Sequence, residues 1–225
     1  MSARTAAVIP AYQAERWVAG VVSGTLEQLE AVLVVDDGSS DATAQTARAA
    51  GAEVVRLPTN QGKGAALRRG FEEWLARGMD AVVTLDADGQ HLPAEIPRLL
   101  AAASDADLVL GSRDHLFEDM TGLRRRSNAL SSRAISFAAG LSLPDVQTGF
   151  RLYTRRLLEA VPVREDRFEA ESAVVVRAAR RGLRVRCVPI ELAFADGTRT
   201  SHYRPLIDSL RIARAVIAAR FERPR

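Results

Sequence analysis

Short apolar runs alternate with longer stretches of helical periodicity through the first half of the chain. Ala6 to Ile9, Ala31 to Val35, Glu53 to Leu57, Ala81 to Leu85 and Asp107 to Leu110 read as strands. Glu15 to Leu29, Asp41 to Ala50, Gly64 to Arg77 and Pro93 to Ala103 read as the helices between them. Near-continuous Val, Leu and Ile within a run marks a strand buried on both faces, the habit of parallel sheets covered by helices. The alternation predicts βαβ units and a right-handed, mostly parallel sheet. After about residue 112 the rhythm breaks. Leu123 to Leu141 is rich in Arg, Ser and Ala; Phe168 to Arg181 reads as helix, Leu183 to Phe194 as extended chain, and Pro205 to Phe221 as a terminal helix.

Two of the strands stop at acids. Val82 to Leu85 runs into Asp86-Ala87-Asp88-Gly89-Gln90-His91, and Val34-Val35 runs into Asp36-Asp37-Gly38-Ser39. Ligands of open α/β sheets bind beyond the carboxyl ends of the strands. Side chains at i and i+2 of an extended segment point the same way, so Asp86 and Asp88 can aim at one point. Two such carboxylates repel unless a cation joins them, and hard oxygen donors suit Mg²⁺ or Mn²⁺. An ion held by so few carboxylates completes its shell with water and substrate phosphates. If the sheet is doubly wound, Asp36 and Asp37 lie beside the Asp86 strand, where a carboxylate accepts hydrogen bonds from a base or a ribose. Asp41 fits an N-cap. Tyr12 places a ring near the same crevice, and His91 orders the acidic loop.

Composition narrows the partners. At 225 residues and 47% hydrophobic, the chain can bury one substantial core. Its single cysteine, Cys187, excludes an internal disulfide framework and reads as a buried strand thiol. Trp17 and Trp74 read as core. The start shows no signal-peptide pattern and no uninterrupted apolar run is long enough to span a bilayer, so the expected location is cytoplasmic. Net charge is +3 but uneven: residues 1–119 hold 10 basic and 18 acidic side chains, residues 120–225 hold 21 and 10. A basic second half points to an anionic partner. Leu206, Leu210, Ala213, Ile217 and Phe221 repeat at helical spacing among Arg204, Arg211, Arg214 and Arg220, a pattern that can lie in a membrane interface or dock on its own sheet.

Asn60-Gln61-Gly62-Lys63-Gly64 is a glycine loop opening a helix, without the first glycine or the Ser/Thr of a P-loop. Lys63 is the one lysine among 31 basic residues, a compact point charge suited to a substrate phosphate. A calcium loop fails because the twelfth position from Asp86 is Pro97. The acidic pair follows the fourth strand with no lysine downstream, against a dehalogenase-type phosphatase. No dinucleotide fingerprint is present.

Ile9-Pro10-Ala11-Tyr12, Val35-Asp36-Asp37-Gly38-Ser39, the Asn60–Gly64 loop, Leu85–His91, Gly111-Ser112-Arg113, Gln147-Thr148-Gly149-Phe150-Arg151, Arg167–Glu171 and Val188-Pro189-Ile190 occur in order. Together they resemble family 2 glycosyltransferases, in the branch of dolichyl-phosphate mannose synthases and other polyprenyl-phosphate glycosyltransferases. The resemblance implies an α/β fold of GT-A type: a mostly parallel, Rossmann-like nucleotide-binding sheet flanked by helices, with a basic C-terminal acceptor-side region. It implies one domain over residues 1–225, with a nucleotide-sugar half to residue 112 and an acceptor half beyond. The implied reaction is an inverting, metal-dependent transfer of a hexose from a GDP-mannose- or UDP-glucose-type donor to polyprenyl phosphate. Pro10, Tyr12, Glu15, Asp37, Lys63 and Asp86 would line the nucleotide pocket, and Gln147 and Arg151 the sugar pocket. Asp86, Asp88 and Gln90 would hold Mg²⁺ or Mn²⁺. Arg113 and Arg125, from the Arg124–Arg126 run, would bind the acceptor phosphate beside Ser201 and His202. The chain lacks the C-terminal transmembrane helices of many relatives and is similar to the short, peripheral synthases.

Three rivals follow from the same residues. A hydroxyl acceptor such as a saccharide would need a base, for which Glu169 and Glu171 are the candidates. A catalytically silent binder of nucleotide sugar or anionic lipid sits poorly with an intact acidic pair. Nucleic acid is disfavoured by few aromatics, an acidic first half and no recognised module.

Overall fold

The computed structural model describes residues 3–113, 122–193 and 205–222, with the backbone alone for 122–130 and 205–206. Arg125 therefore has a helical backbone and no described side chain, and Ser201 and His202 lie outside the described residues. One seven-stranded sheet runs through the molecule in the order β3-β2-β1-β4-β6-β5-β7. Its strands are β1 (Thr5–Ala11), β2 (Val32–Asp36), β3 (Glu53–Arg56), β4 (Ala81–Thr84), β5 (Leu108–Ser112), β6 (Arg151–Thr154) and β7 (Val185–Pro189). The helices are α1 (Val18–Leu26), α2 (Thr43–Ala49), α3 (Lys63–Ala76), α4 (Ile96–Ala102), α5 (Gly122–Ala139), α6 (Arg155–Ala160), α7 (Glu169–Arg180) and α8 (Pro205–Phe221).

Buried side chains form two layers, one on each face of the sheet, as the unbroken apolar strands require. Val8, Leu33, Val82, Leu108 and Tyr153 face Trp74, Leu67 and Val175; Ile9, Val34, Val83 and Leu152 face Val18, Val22 and Leu99. Trp74 also donates its indole N–H to the Ala7 carbonyl at 2.9 Å, anchoring α3 to the central strand. Trp17 differs from the expectation of core: it is half-buried, with the Arg16 guanidinium 4.5 Å from its ring. Cys187 is likewise half-buried, because β7 is an edge strand.

Topology decides where a ligand can sit. From β1 the chain moves outward through β2 and β3, then α3 carries it back across β1 to β4. The switch point therefore lies between the carboxyl ends of β1 and β4. Asp36 and Asp37 are consequently not beside the Asp86 strand, because β1 stands between them.

Periodicity missed β6 and α6. β6 has four residues, is antiparallel to both neighbours and separates β4 from β5. Its reversed direction brings the start of β6 to the carboxyl ends of the parallel strands: Arg151 pairs with Thr84 and Leu110. The Asp145–Phe150 turn thereby enters the crevice.

Candidate active site

The acidic loop after β4 is held from three sides. Lys63, the first residue of α3, places its ammonium 2.6 Å from Asp86 Oδ1 and 2.9 Å from Glu171 Oε2. The Asp86 N–H donates weakly to His91 Nδ1 at 3.5 Å, and the buried His91 ring packs 5.5 Å from Phe150. Thr84 Oγ1 donates to the Gly149 carbonyl at 2.8 Å. A Cβ on Gly149 would lie 2.6 Å from Asp86 Cγ, so the turn can approach the carboxylate only as glycine. Asp88 Oδ1 accepts the Gln90 N–H at 3.1 Å, folding the loop back on itself.

The electrostatics follow from this packing. Burial, the largest single influence, pushes the Asp86 carboxyl up, but the Lys63 ammonium together with His91 and Arg113 more than offsets it and holds the group below the ordinary carboxylate range. Burial opposes the Lys63 charge, yet Asp86 and Glu171 raise it above the ordinary lysine value. Burial drives His91 down to about 4 against the pull of Asp86, so the ring is neutral at neutral pH and Nδ1 is free to accept. Lys63 is thus committed to two carboxylates instead of standing open for a phosphate. Glu171, read from sequence as a candidate base, is buried as the second partner of Lys63.

Behind this pair stands Arg151. Its side chain is 1% exposed and donates to the carbonyls of Thr148, Glu171 and Val146 at 2.7, 2.7 and 2.8 Å. Such a guanidinium has no surface to offer a sugar. It shapes the site by tying the 146–148 turn to α7.

Several nucleotide-pocket candidates also have local duties. Asp37 accepts the Gln61 and Gly62 N–H groups at 2.7 and 2.8 Å and so fixes the glycine loop. Burial raises its pKa, and the two amides only partly oppose this. Glu15 Oε2 accepts the Ala42 N–H at 2.9 Å, while the Glu15 N–H donates to Asp41 Oδ2 at 3.2 Å. Asp41 also accepts the Thr43 N–H at 3.0 Å, but the N-cap of α2 is Ala42, so Asp41 stands one residue before the cap position expected of it. Pro10 is buried within β1 and Tyr12 is half-buried at its end. The glycine loop meets the segment before α7: Gly62 has φ +107°, and a Cβ there would lie 2.5 Å from the Asp166 carbonyl.

At the end of β5, Arg113 is clamped by Asp145, whose side chain is fully buried. Arg113 Nε lies 2.8 Å from Asp145 Oδ2, and Nη2 lies 2.7 Å from the Gln147 carbonyl. The Gln147 N–H donates to Asp145 Oδ1 at 3.0 Å. Sequence reasoning missed Asp145. The available signal is that it is the lone acid between residues 120 and 158, a stretch with several arginines.

Asp86, Asp88 and the Gln90 carboxamide offer hard oxygens of the kind Mg²⁺ or Mn²⁺ takes, but β4 ends at Thr84 and the chain turns at Ala87 and Asp88, so the two aspartates are not the extended i, i+2 pair expected from sequence. Among the described residues no group of three or more His, Cys, Asp and Glu gathers at one point. An ion on this pair would take its remaining ligands from elsewhere, as Mg²⁺ commonly does with phosphates and water.

Comparison with known proteins identifies the family and the fold. The Glycosyl transferase family 2 model matches residues 6–161. Undecaprenyl-phosphate mannosyltransferase of Micrococcus luteus is 37% identical over 71% of this chain and 70% of its own length. Polyprenol monophosphomannose synthase of Mycolicibacterium smegmatis is 34% identical over 70% of this chain and 64% of its own. Among solved structures, glucosyl-3-phosphoglycerate synthase from Mycobacterium tuberculosis, in complex with Mn²⁺, uridine diphosphate and phosphoglyceric acid, superposes with a TM-score of 0.74. That match covers 96% of this chain and 77% of the other at 23% identity, a likeness of fold.

Proposed function

Because the chain belongs to glycosyl transferase family 2 and is a glycosyltransferase of GT-A-like fold, we propose that it transfers a hexose to a polyprenyl phosphate. The donor is a nucleoside-diphosphate sugar of the GDP-mannose or UDP-glucose type, and the transfer inverts the anomeric centre. The observation that carries this reading is the meeting, at the end of β4 and its neighbours, of the acidic Asp86–Gln90 loop with the Asp145-clamped Arg113.

In the proposed step a phosphate oxygen of the acceptor attacks the anomeric carbon as the bond to the donor diphosphate breaks. The nucleoside diphosphate leaves with the bonding pair. A phosphate is already ionised at neutral pH, so no proton has to be removed. This agrees with a site in which Glu171 is spent on Lys63 and is not poised as a base. Mg²⁺ or Mn²⁺, held by Asp86, Asp88 and Gln90, would neutralise charge on the departing diphosphate. Lys63 keeps Asp86 ionised and in place. Arg113, oriented by Asp145, offers positive charge to the acceptor phosphate, with Arg125, Ser201 and His202 proposed beside it.

The lipid acceptor places the enzyme at the cytoplasmic face of a membrane. No described helix is long and apolar enough to cross one. Instead α8 has two apolar faces. Ile212, Ala215, Val216 and Ala219 are buried in the core, while Leu210, Ile217 and Phe221 are 67%, 59% and 78% exposed. At about 100° per residue the two sets lie on opposite sides of the helix. Arg211 and Arg220 flank the outer stripe and Arg214 lies within it, matching an anionic interface.

The test is sugar transfer with Mn²⁺ or Mg²⁺, offering GDP-mannose and UDP-glucose, each with a short polyprenyl phosphate or a saccharide. We expect transfer with one donor and only with the lipid phosphate. Transfer to the saccharide alone would move the assignment to the hydroxyl-acceptor reaction. For the membrane arm, the protein should float with phosphatidylglycerol vesicles and not with phosphatidylcholine vesicles. Ile217→Ser/Phe221→Ser should lose flotation and keep transfer to a detergent-dispersed acceptor; unchanged flotation would remove α8 from the interface.

A further inference from the structure

We infer that Arg177 is a positioning residue for the donor side of the site, a role that rests on the reaction proposed above. Arg177 lies in the last turn of α7, and its guanidinium is buried on the side of the molecule where α7 meets α8. Both terminal nitrogens donate to Glu165, at 2.8 and 2.6 Å, and Nε donates to Glu222 Oε2 at 2.8 Å. Glu222 follows the last residue of α8 and also pairs with Arg164 at 3.0 Å.

Adhesion between the two helices does not require this network. α8 already packs through Ile212, Ala215, Val216 and Ala219, and a buried ion cluster is often no more stabilising than apolar residues of the same volume. What the cluster adds is geometry. A bidentate guanidinium–carboxylate pair fixes the orientation of both groups. Here the group fixed is Glu165, and the backbone of Glu165 and Asp166 forms the wall behind the glycine loop. The Ala65 N–H donates to the Asp166 carbonyl at 3.0 Å. Gly62 and Gly64 approach the Asp166 and Glu165 carbonyls so closely that neither position has room for a Cβ. Any shift of Glu165 therefore passes by contact into Gly62–Lys63–Gly64, and Lys63 holds Asp86. One arm of the latch ends at α8, which bears the proposed membrane face. The other ends at the loop that holds the acidic pair.

Arg177→Lys and Glu222→Gln test the inference, each read by amide hydrogen exchange and by donor kinetics. Lysine keeps the buried charge and loses the bidentate fork. Glu222→Gln relaxes one arm with little change of shape and serves should the lysine variant fold poorly. In at least one folded variant, the Gln61, Gly62 and Ala65 amides should exchange about tenfold faster, a coupling of the size carried by packed networks. The central strands should keep their protection. The KM for the nucleotide sugar should rise by a similar factor while kcat and the acceptor KM stay within about twofold of wild type. Uniformly faster exchange, with KM unchanged and only the folded fraction reduced, would make Arg177 purely structural and overturn the inference. Exchange at the loop decides the matter even if wild type transfers no sugar to polyprenyl phosphate; that failure would count against the proposed reaction alone.

Discussion

Asp88→Asn will abolish sugar transfer while leaving the protein folded. Asp88 is half-buried, and its carboxylate accepts the Gln90 N–H through Oδ1, a bond an asparagine carbonyl can also accept. The local turn therefore survives the substitution, and the melting temperature should move by no more than a few degrees, as for most partly exposed positions. What goes is one negative charge from the proposed metal site. Loss of charge neutralisation at a leaving diphosphate is worth several kcal/mol, so transfer should fall by at least about 1000-fold. Asp86→Asn makes the contrast. It takes a partner from Lys63 inside the site, leaving the ammonium with Glu171 alone, and should cost about 1–3 kcal/mol of stability as well as activity. Thermal melting and transfer measured on both variants separate the two roles. A folded Asp88→Asn enzyme with near-native turnover would remove the acidic pair from the mechanism.

The fold up to residue 112 was legible because its signal is local. Each parallel strand there is a short apolar run, each helix carries its own period, and the order follows from right-handed crossovers. All five strands expected before residue 112 are present, with ends shifted by at most two residues. β6 was not legible. Arg151–Thr154 is four residues long, opens on a charged residue and runs against its neighbours, so neither composition nor alternation marks it. Its place is set by pairing with β4 and β5, a tertiary fact.

The site divides the same way. Acids at strand ends are visible in sequence because the topology of such sheets sends strand ends to the ligand. A partnership across 108 positions is not visible: Lys63 against Asp86, 23 positions on, is within reach of inspection, and Lys63 against Glu171 is not. A lone lysine beside a glycine loop suggests a phosphate contact, and only the packing of α7 on α3 shows the charge already satisfied. Arg151 shows the opposite failure. Its motif marks it as functional, yet three backbone carbonyls surround its guanidinium and make it a brace.

Arg113→Ala should inactivate the enzyme for two reasons that one variant cannot separate. Asp145 is fully buried and would lose its Arg113 guanidinium partner, keeping, among the described residues, the Arg113 and Gln147 amides. Stranding a buried carboxylate in this way costs about 3 kcal/mol, which lowers the melting temperature by roughly 6–12 °C in a chain of this size. Activity would fall through instability even if Arg113 never met the acceptor. The double variant Arg113→Gln/Asp145→Asn removes both charges, leaves amides that can still hydrogen-bond, and brings the melting temperature back to within a few degrees of wild type. If Arg113 binds the acceptor phosphate, the stable double variant stays at least about 100-fold down in transfer, the scale set by losing one preorganised donor at a developing or bound anion. Its donor KM should remain near native, since the Lys63 loop and the acidic pair are untouched. Recovery of transfer in the double variant would make the Arg113–Asp145 pair a strut of the β5 end and pass the acceptor phosphate to the basic residues beyond it.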